Sequence, residues 1–166
     1  VWSARTIWGD DGVGARQQAV SGDNVFANLS YATPIGTLTG FAYLVDQDEA
    51  AVLAYRLSSQ TYGVRLAGSR ALSKAVKLSY QLSYAKQSDY HANPNDYSAD
   101  YRLADATLDV KGWKLNIGYE ALGADKGLAL TSFQTPLGTN FKFQGWADKF
   151  LTTPPNGIRD LYVGGG

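Results

Sequence analysis

The chain has 166 residues, and its 15 basic and 15 acidic side chains balance, so no nucleic-acid-binding surface is expected. It contains no cysteine, which excludes disulfides, thiol catalysis and cysteine-bound metals. Aromatic side chains make up 13% of it, with 11 Tyr and 4 Trp. The sequence lacks the run of ~18 apolar residues that would indicate a transmembrane helix.

The first part of the chain carries a weak and then a clear strand signal. Residues 2–8 predict a strand with poor alternation. Residues 9–23 are rich in Gly and Asp and predict a loop. Residues 24–32 predict a second strand, because apolar and polar side chains alternate along them with a period of two.

The next segment predicts a tight turn and two more strands. Residues 33–36 (Thr-Pro-Ile-Gly) have the composition of a turn. Residues 37–45 predict a strand that is apolar on both sides toward its end, so its facing is ambiguous. A connection follows at 46–60, with a short helix expected over 50–57, and 61–70 predict the fourth strand.

The clearest strand comes after a short turn at 71–76. Residues 77–88 place Leu78, Tyr80, Leu82 and Tyr84 on one side and polar side chains on the other. A loop of about ten residues, which contains the single histidine, separates this strand from the sixth.

The last part of the chain predicts two strands around the shortest turn. The sixth strand is expected over 99–110, the turn over 111–112 and the seventh strand over 113–122. A long connection then spans 123–159, and a final strand starts near residue 160. The connections alternate between short and long.

This alternation favours a transmembrane β-barrel, which has short periplasmic turns and longer extracellular loops. Strands of about ten residues also fit the ~9–11 that cross a bilayer at a tilt. We therefore expect an all-β chain, an antiparallel up-and-down transmembrane β-barrel of about eight strands that forms one domain, or a portion of one, over 1–166. Aromatic residues near strand ends suggest girdles at the membrane interfaces; they are Tyr31, Tyr43, Tyr62, Tyr84, Tyr101, Trp113, Tyr119 and Tyr162.

Polar side chains on the inward faces are the candidate pore lining. They would bias which ions permeate an open lumen. Alternatively, the charged ones form cross-strand ion pairs that hold the wall together. The candidates are Arg65, Lys77, Gln81, Asp105, Asp109, Lys114 and Glu120.

The long connection is the second candidate site, because a loop of this length without structure is uncommon unless it is functional. It is expected to fold into the lumen as a constriction or plug, where aromatic rings beside polar groups would suit a sugar face. The alternative is a self-packed extracellular cap. The candidate residues are Phe133, Lys142, Trp146, Asp148 and Lys149.

No catalytic or metal-binding constellation emerges. His91 lies in a loop near carboxylates at a generic spacing, and the acidic run at 46–49 lacks the glycine-centred pattern of an EF-hand, so both are expected to be solvated. Asp105, Asp109 and Glu120 would form a carboxylate cluster, but nothing else in the chain supports glycosidase chemistry. We expect no cofactor, no metal and no reaction.

Several segments resemble the alginate-export family of bacterial outer-membrane barrels. The matching segments are 34–44, 61–68, 87–90, 93–94, 96–101, 133–139, 142–150, 157–158 and 160–163, and the region 133–150 is the most specific. The resemblance implies a barrel of about 16–18 strands, of which this chain would supply a part. It also implies an arginine-rich constriction, which the mixed charges predicted for the lining here do not reproduce.

The sequence therefore predicts an outer-membrane channel for passive diffusion of small hydrophilic or anionic solutes, saccharides among them. Its expected partners are the lipid bilayer and those solutes. The alternative is a closed structural or ligand-binding outer-membrane barrel that acts through its extracellular loops. An eight-stranded closed barrel and a soluble β-sandwich are the competing folds.

Overall fold

The structure is a computed structural model that describes residues 5–6, 18–19, 22–48, 53–136 and 152–166. The described residues form an all-β protein without an α-helix, with one short 3-10 helix at Ala54–Leu57. No helix among them is both long enough and apolar enough to span a membrane.

Seven consecutive strands of the described chain form one antiparallel sheet in which each strand pairs with its neighbours in sequence. The strands are β3 (Asn24–Thr33), β4 (Gly36–Val45), β5 (Ser59–Ser73), β6 (Val76–Asp89), β7 (Ser98–Val110), β8 (Trp113–Leu122) and β9 (Ile158–Gly165). Among the described residues, strands β1 (Arg5–Thr6) and β2 (Gln18–Ala19) form a separate two-stranded sheet.

The connections of the sheet differ in length at its two ends. Two-residue turns at 34–35, 74–75 and 111–112 join the strands at one end, the short-turn end. The connections at the other end, the long-loop end, cover residues 46–58, 90–97 and 123–157. The predicted alternation of short and long connections is therefore present.

The register places apolar side chains on one face of all seven strands. One row across the sheet runs through Leu29, Gly40, Val64 and Tyr84. Farther along the sheet, Leu115 pairs with Leu108 on the same face. We call this the apolar face, and its side chains are open to solvent in the structure, with Leu29 80% and Leu161 71% exposed. Such an extended exposed apolar surface is unusual for a protein surrounded by water.

The opposite face, the polar face, is covered at the long-loop end by a segment of the last connection. Residues 131–136, which we call the strap, lie over this end of the face, and Phe133 packs there with Ala85, Tyr97 and Leu122. Most of the buried apolar side chains of the described chain belong to this cluster. The core of the described residues therefore lies between the sheet and its own strap.

Glycines on the polar face make room for aromatic rings from neighbouring strands. A Cβ atom at Gly63 would lie 2.3 Å from Phe41 Cζ, and one at Gly118 would lie 2.1 Å from Tyr162 Cζ. A ring that covers a glycine on the next strand restores the packing that the glycine lacks.

The all-β, antiparallel, up-and-down prediction is confirmed, but several details were wrong. The described sheet has seven strands, not about eight, and its edge strands β3 and β9 do not pair to close a barrel. Of the first predicted strand the structure describes Arg5–Thr6, which pairs with Gln18–Ala19 in the predicted loop at 9–23. Strand β5 continues to Ser73, through part of the predicted turn. The final strand starts at Ile158, two residues before the expected position.

The prediction of aromatic girdles was wrong for three tyrosines. Tyr43, Tyr101 and Tyr162 lie on the polar face, because their register partners are polar-face positions. The rings on the apolar face that lie nearest the strand ends are Tyr31 and Trp113 at the short-turn end and Tyr62 and Tyr84 toward the other. Tyrosine therefore serves two environments on this sheet.

Candidate functional site

The polar face brings the predicted lining residues together. The seven residues lie on the same side of four adjacent strands, since pairing partners share a face. Lys77 pairs with Asp109, which in turn pairs with Lys114. Gln81 pairs with Asp105, two rows of same-face side chains closer to the middle of the sheet. The remaining two, Arg65 and Glu120, lie in one row nearer the strap.

Cations and anions of this face are arranged near the short-turn end as a row of alternating sign. Lys77 and Lys114 are exposed on either side of Asp109. Among these three described residues no ion pair lies within 4 Å. Asp109 instead accepts a hydrogen bond from Gly112 N at 3.0 Å and so stabilises the 111–112 turn. The cross-strand ion-pair interpretation is not realised at this row.

Asp105 lies in a network of hydrogen bonds in the middle of the face. Its Oδ2 accepts one bond from Tyr162 Oη at 2.8 Å and another from Asn116 Nδ2 at 3.0 Å. Asn116 also donates to Thr107 Oγ1 at 2.9 Å. These bonds fix the carboxylate and link β7, β8 and β9.

An aromatic cleft of about 380 Å³ opens between the polar face and the strap. Aromatic rings line it. The ring centroids of Phe41 and Tyr43 lie 5.0 Å apart in a stacked arrangement, and those of Tyr43 and Phe26 lie 5.5 Å apart edge to face. On the opposite side Tyr101 lies 5.4 Å from Phe133. Flat apolar faces with a few polar groups are the usual surroundings of a small ligand.

Polar groups converge on this aromatic cleft from the sheet. Glu120 lies in its lining, and its Oε1 accepts a hydrogen bond from Tyr101 Oη at 2.5 Å. Thr61 and Gln87 line the same space. The cleft therefore offers apolar rings for contact and a carboxylate and a hydroxyl for hydrogen bonding.

Gln87 holds the strap against the sheet. Its Oε1 accepts a bond from Gln134 N at 2.7 Å, and its Nε2 donates to Gln134 O at 2.9 Å. Tyr97 Oη donates to the same Oε1 at 3.1 Å, and Nε2 also donates to Thr61 Oγ1 at 3.0 Å. The side-chain amide of Gln87 thus bonds to both backbone groups of Gln134, as a neighbouring strand would. Both of its amide atoms have hydrogen-bond partners.

Burial and charge act together on Tyr97, which lies just before β7. Burial raises the pKa of its phenol, and the nearby carboxylate of Asp89 raises that pKa further, while a hydrogen bond with Ser59 lowers it. The neutral phenol is therefore the favoured form, and only this form can donate to Gln87.

The strap is also hydrogen-bonded to Thr153, in the segment that precedes β9. Gln134 Nε2 donates to Thr153 O at 3.2 Å, and Thr153 N donates to Gln134 Oε1 at 3.2 Å. Ser132 Oγ donates to the same carbonyl at 3.1 Å. The strap is therefore held from two sides.

Of the predicted loop candidates, Phe133 is buried against the polar face, with 7% of its surface exposed. Lys142, Trp146, Asp148 and Lys149 lie outside the described residues. The strap lies over the polar face. That the connection folds into a lumen as a constriction or plug stays a prediction.

His91 is not isolated in solvent. Its Nδ1 lies 3.0 Å from Asp46 Oδ2, and Ser58 Oγ donates to Asp46 Oδ1 at 3.4 Å. A catalytic triad requires the histidine between serine and carboxylate, whereas here the carboxylate lies between the other two and Ser58 is fully buried. Within the described ranges no three His, Cys, Asp or Glu side chains are grouped as metal ligands.

Sequence reasoning missed the residues that build the aromatic cleft. Phe41, Tyr43 and Val45 made β4 apolar on both sides, and this ambiguity was the available signal. Gln87 and Gln134 gave no signal in the sequence. They are 47 positions apart, and glutamine is common both in strands and in loops.

No protein-family model, curated protein or solved structure matches this chain. The resemblance to the alginate-export family therefore gains no support from these comparisons. Any function has to be argued from the two faces of the sheet.

Proposed function

We propose that this chain forms part of the wall of an outer-membrane β-barrel, a channel for passive diffusion of small hydrophilic or anionic solutes. The observation that carries the proposal is the difference between the two faces of one sheet. The apolar face extends over seven strands and remains exposed, whereas the polar face carries the seven predicted lining residues and the strap. Lipid against the apolar face and water against the polar face would give each face a matching environment.

The dimensions of the strands support the same proposal. The seven strands of the described sheet are 8 to 15 residues long, and ~9–11 residues cross a bilayer at a tilt. Among the described residues β3 and β9 are each paired along one edge only, and unpaired backbone groups cannot face hydrocarbon. Further strands, from this chain or from a neighbouring one, would therefore have to pair with both edges.

In this channel the polar face lines the lumen, and the strap narrows it at the long-loop end. Charged walls select among permeant ions by sign, and the aromatic cleft provides surfaces on which a saccharide ring can pack. No cofactor and no reaction belong to this function.

A closed or plugged barrel that binds a ligand is the second candidate. The strap favours it, because Gln87 and Gln134 fix this segment across the face instead of leaving the lumen clear. In that case the aromatic cleft is a binding site and not a passage.

The deciding experiment is the single-channel current of the protein in a planar bilayer, with and without uronate oligomers. Steady conductance that the oligomers block supports a saccharide-selective channel. Conductance without block indicates a general diffusion channel. An inserted barrel that carries no current supports the plugged binding barrel, and a protein that does not insert contradicts both.

A further inference from the structure

Three exposed cations lie where the apolar face meets the long-loop end. They are Lys86 on β6, Arg102 on β7 and Arg159 on β9, and we call them the cationic rim. Their register partners place all three on the apolar face: Lys86 pairs with Asp100, and Ala121 pairs with both arginines. The lumen candidates, by contrast, lie on the opposite side of the sheet.

The two arginines lie on either side of a hollow. They are in the same row, two strands apart, so their Cα atoms are separated by about 10 Å. The small side chain of Ala121 lies between them, and the space above it is a cavity of about 430 Å³ lined by both arginines and Asp100. Side chains of this length can converge on one anion held in the hollow.

The charge of the hollow remains positive after its internal pairing. Arg102 Nη2 forms an ion pair with Asp100 Oδ2. This contact orients the guanidinium but uses only part of its five donors. Arg159 adds a second positive charge to the hollow against this one carboxylate, and Lys86 lies on the neighbouring strand as the register partner of Asp100. Planar guanidinium groups are the side chains best suited to bind phosphate oxygens in pairs.

An apolar surface adjoins the hollow on the side away from the loops. Tyr119 and Leu161 form the next row, where they pair with one another. Their exposed fractions are 39% and 71%. A ligand that fills both parts needs a phosphate and acyl chains in one molecule, which is the chemistry of a lipid and not of a free ion.

We propose that the cationic rim binds a phosphate of an anionic, phosphorylated glycolipid of the outer leaflet, of the lipid A class, whose acyl chains lie on the apolar face. The inference rests on the proposed function, because it assigns the long-loop end to the outer leaflet, as in other outer-membrane barrels. It adds a specific lipid partner to the lipid-facing side.

The test measures lipid A retained by the detergent-extracted protein after delipidation, with phosphate content and native mass spectrometry as readouts. The variant is Arg102→Gln with Arg159→Gln. We expect retention to fall about thirty-fold, since each basic residue near an anionic surface contributes about a factor of five. Arg70→Gln is the matched control, an exposed arginine on the same face at the short-turn end, and it should retain lipid A as the wild type does.

Each other outcome has a defined meaning. Equal retention by the double variant and the wild type overturns the inference, as does equal retention of a zwitterionic phospholipid. Inorganic phosphate that displaces lipid A at equal concentration would mean that the hollow recognises a free anion, which also overturns it. Outer-membrane fractionation is scored in parallel: an inserted protein without lipid A refutes only this inference, whereas a protein absent from the membrane refutes the proposed function.

Discussion

The hydroxyl of Tyr162 on β9 reaches past β8 to donate a hydrogen bond to Asp105 on β7 at 2.8 Å. This reach is possible because Gly118, between them in the register, leaves space for the ring. The side chain of Tyr162 thus links β9 to β7 across the intervening strand β8.

Gly118→Ala should destabilise the fold by about 1–3 kcal/mol, the usual cost of overpacking. The new Cβ atom would lie 2.1 Å from Tyr162 Cζ, so the ring and its bond to Asp105 must shift. The free energy of unfolding in urea measures the loss. Gly164→Ala on the same face is the control, since its Cβ would meet only Asn116 Cβ at 4.0 Å. Equal losses in both variants would contradict the proposed packing.

Gln87→Leu should release the strap from the sheet. The substitution keeps the volume but removes four hydrogen bonds and leaves Gln134 N–H buried without its acceptor. An unsatisfied buried group of this kind costs about 1–3 kcal/mol. Hydrogen exchange at Gln134 N–H should become faster by about 5- to 150-fold, which is the same cost expressed as an opening equilibrium. Gln81→Leu, on the same face of β6, should leave that exchange rate unchanged.

Leu82→Arg should discriminate a membrane from an aqueous setting. Leu82 lies near the middle of β6 on the apolar face and is 49% exposed. In a bilayer the arginine should cost about 2–4 kcal/mol of folding free energy; in water the same exposed site would tolerate it within about 0.5 kcal/mol. Unfolding from lipid vesicles gives the value, with Gln81→Arg on the polar face as the tolerated control. A small loss for Leu82→Arg in vesicles would argue against a lipid-facing side.

Lys77→Glu together with Lys114→Glu should shift ion selectivity toward cations. Both lysines flank Asp109 on the face assigned to the lumen, and reversing their charge makes that row uniformly negative. The reversal potential in a salt gradient is the measurement. Lys74→Glu, in the turn at 74–75, is the control outside the strands. An unchanged potential in a conducting double variant would remove this row from the pore.

Folding stability should decline above about pH 10, where free tyrosine begins to ionise. The pKa of Tyr97 is raised in the folded state, so its contribution is complete below the unfolded pKa and is lost as the pH rises. Tyr97→Phe should therefore show a shallower decline in alkaline unfolding experiments. The same slope in both proteins would mean that Tyr97 does not govern this loss.

Strand positions could be predicted from the sequence because alternation is strong where one face must be apolar. Strand β8 was predicted with the bounds that the structure has. Strand β3 ends one residue later than predicted, and β4 begins one residue earlier. The faces of the lining residues followed from the same period of two. The sequence therefore predicted which charged side chains share the polar face, whereas their order across the strands follows from the register.

The strap and its cleft could not be predicted in the same way. They depend on contacts between distant segments, such as Gln87 with Gln134, and glutamine has no local pattern that indicates a partner. The facing of β4 was ambiguous for a related reason, since Phe41 and Tyr43 are apolar but serve the polar face. Closure of a barrel depends on whether the two edge strands of the sheet pair with one another. The alternation of side chains along a strand carries no information on that pairing.

Pairing between neighbours in sequence also sets the order in which this sheet can assemble. Hairpins closed by two-residue turns have a small loop entropy, so β3–β4, β5–β6 and β7–β8 can form early and independently. Strand β9 differs, because residues 123–157 separate it from β8. Its docking closes the longest loop of the sheet and completes the bonds between Gln134 and Thr153, so the strap should become fixed only as the last strand arrives.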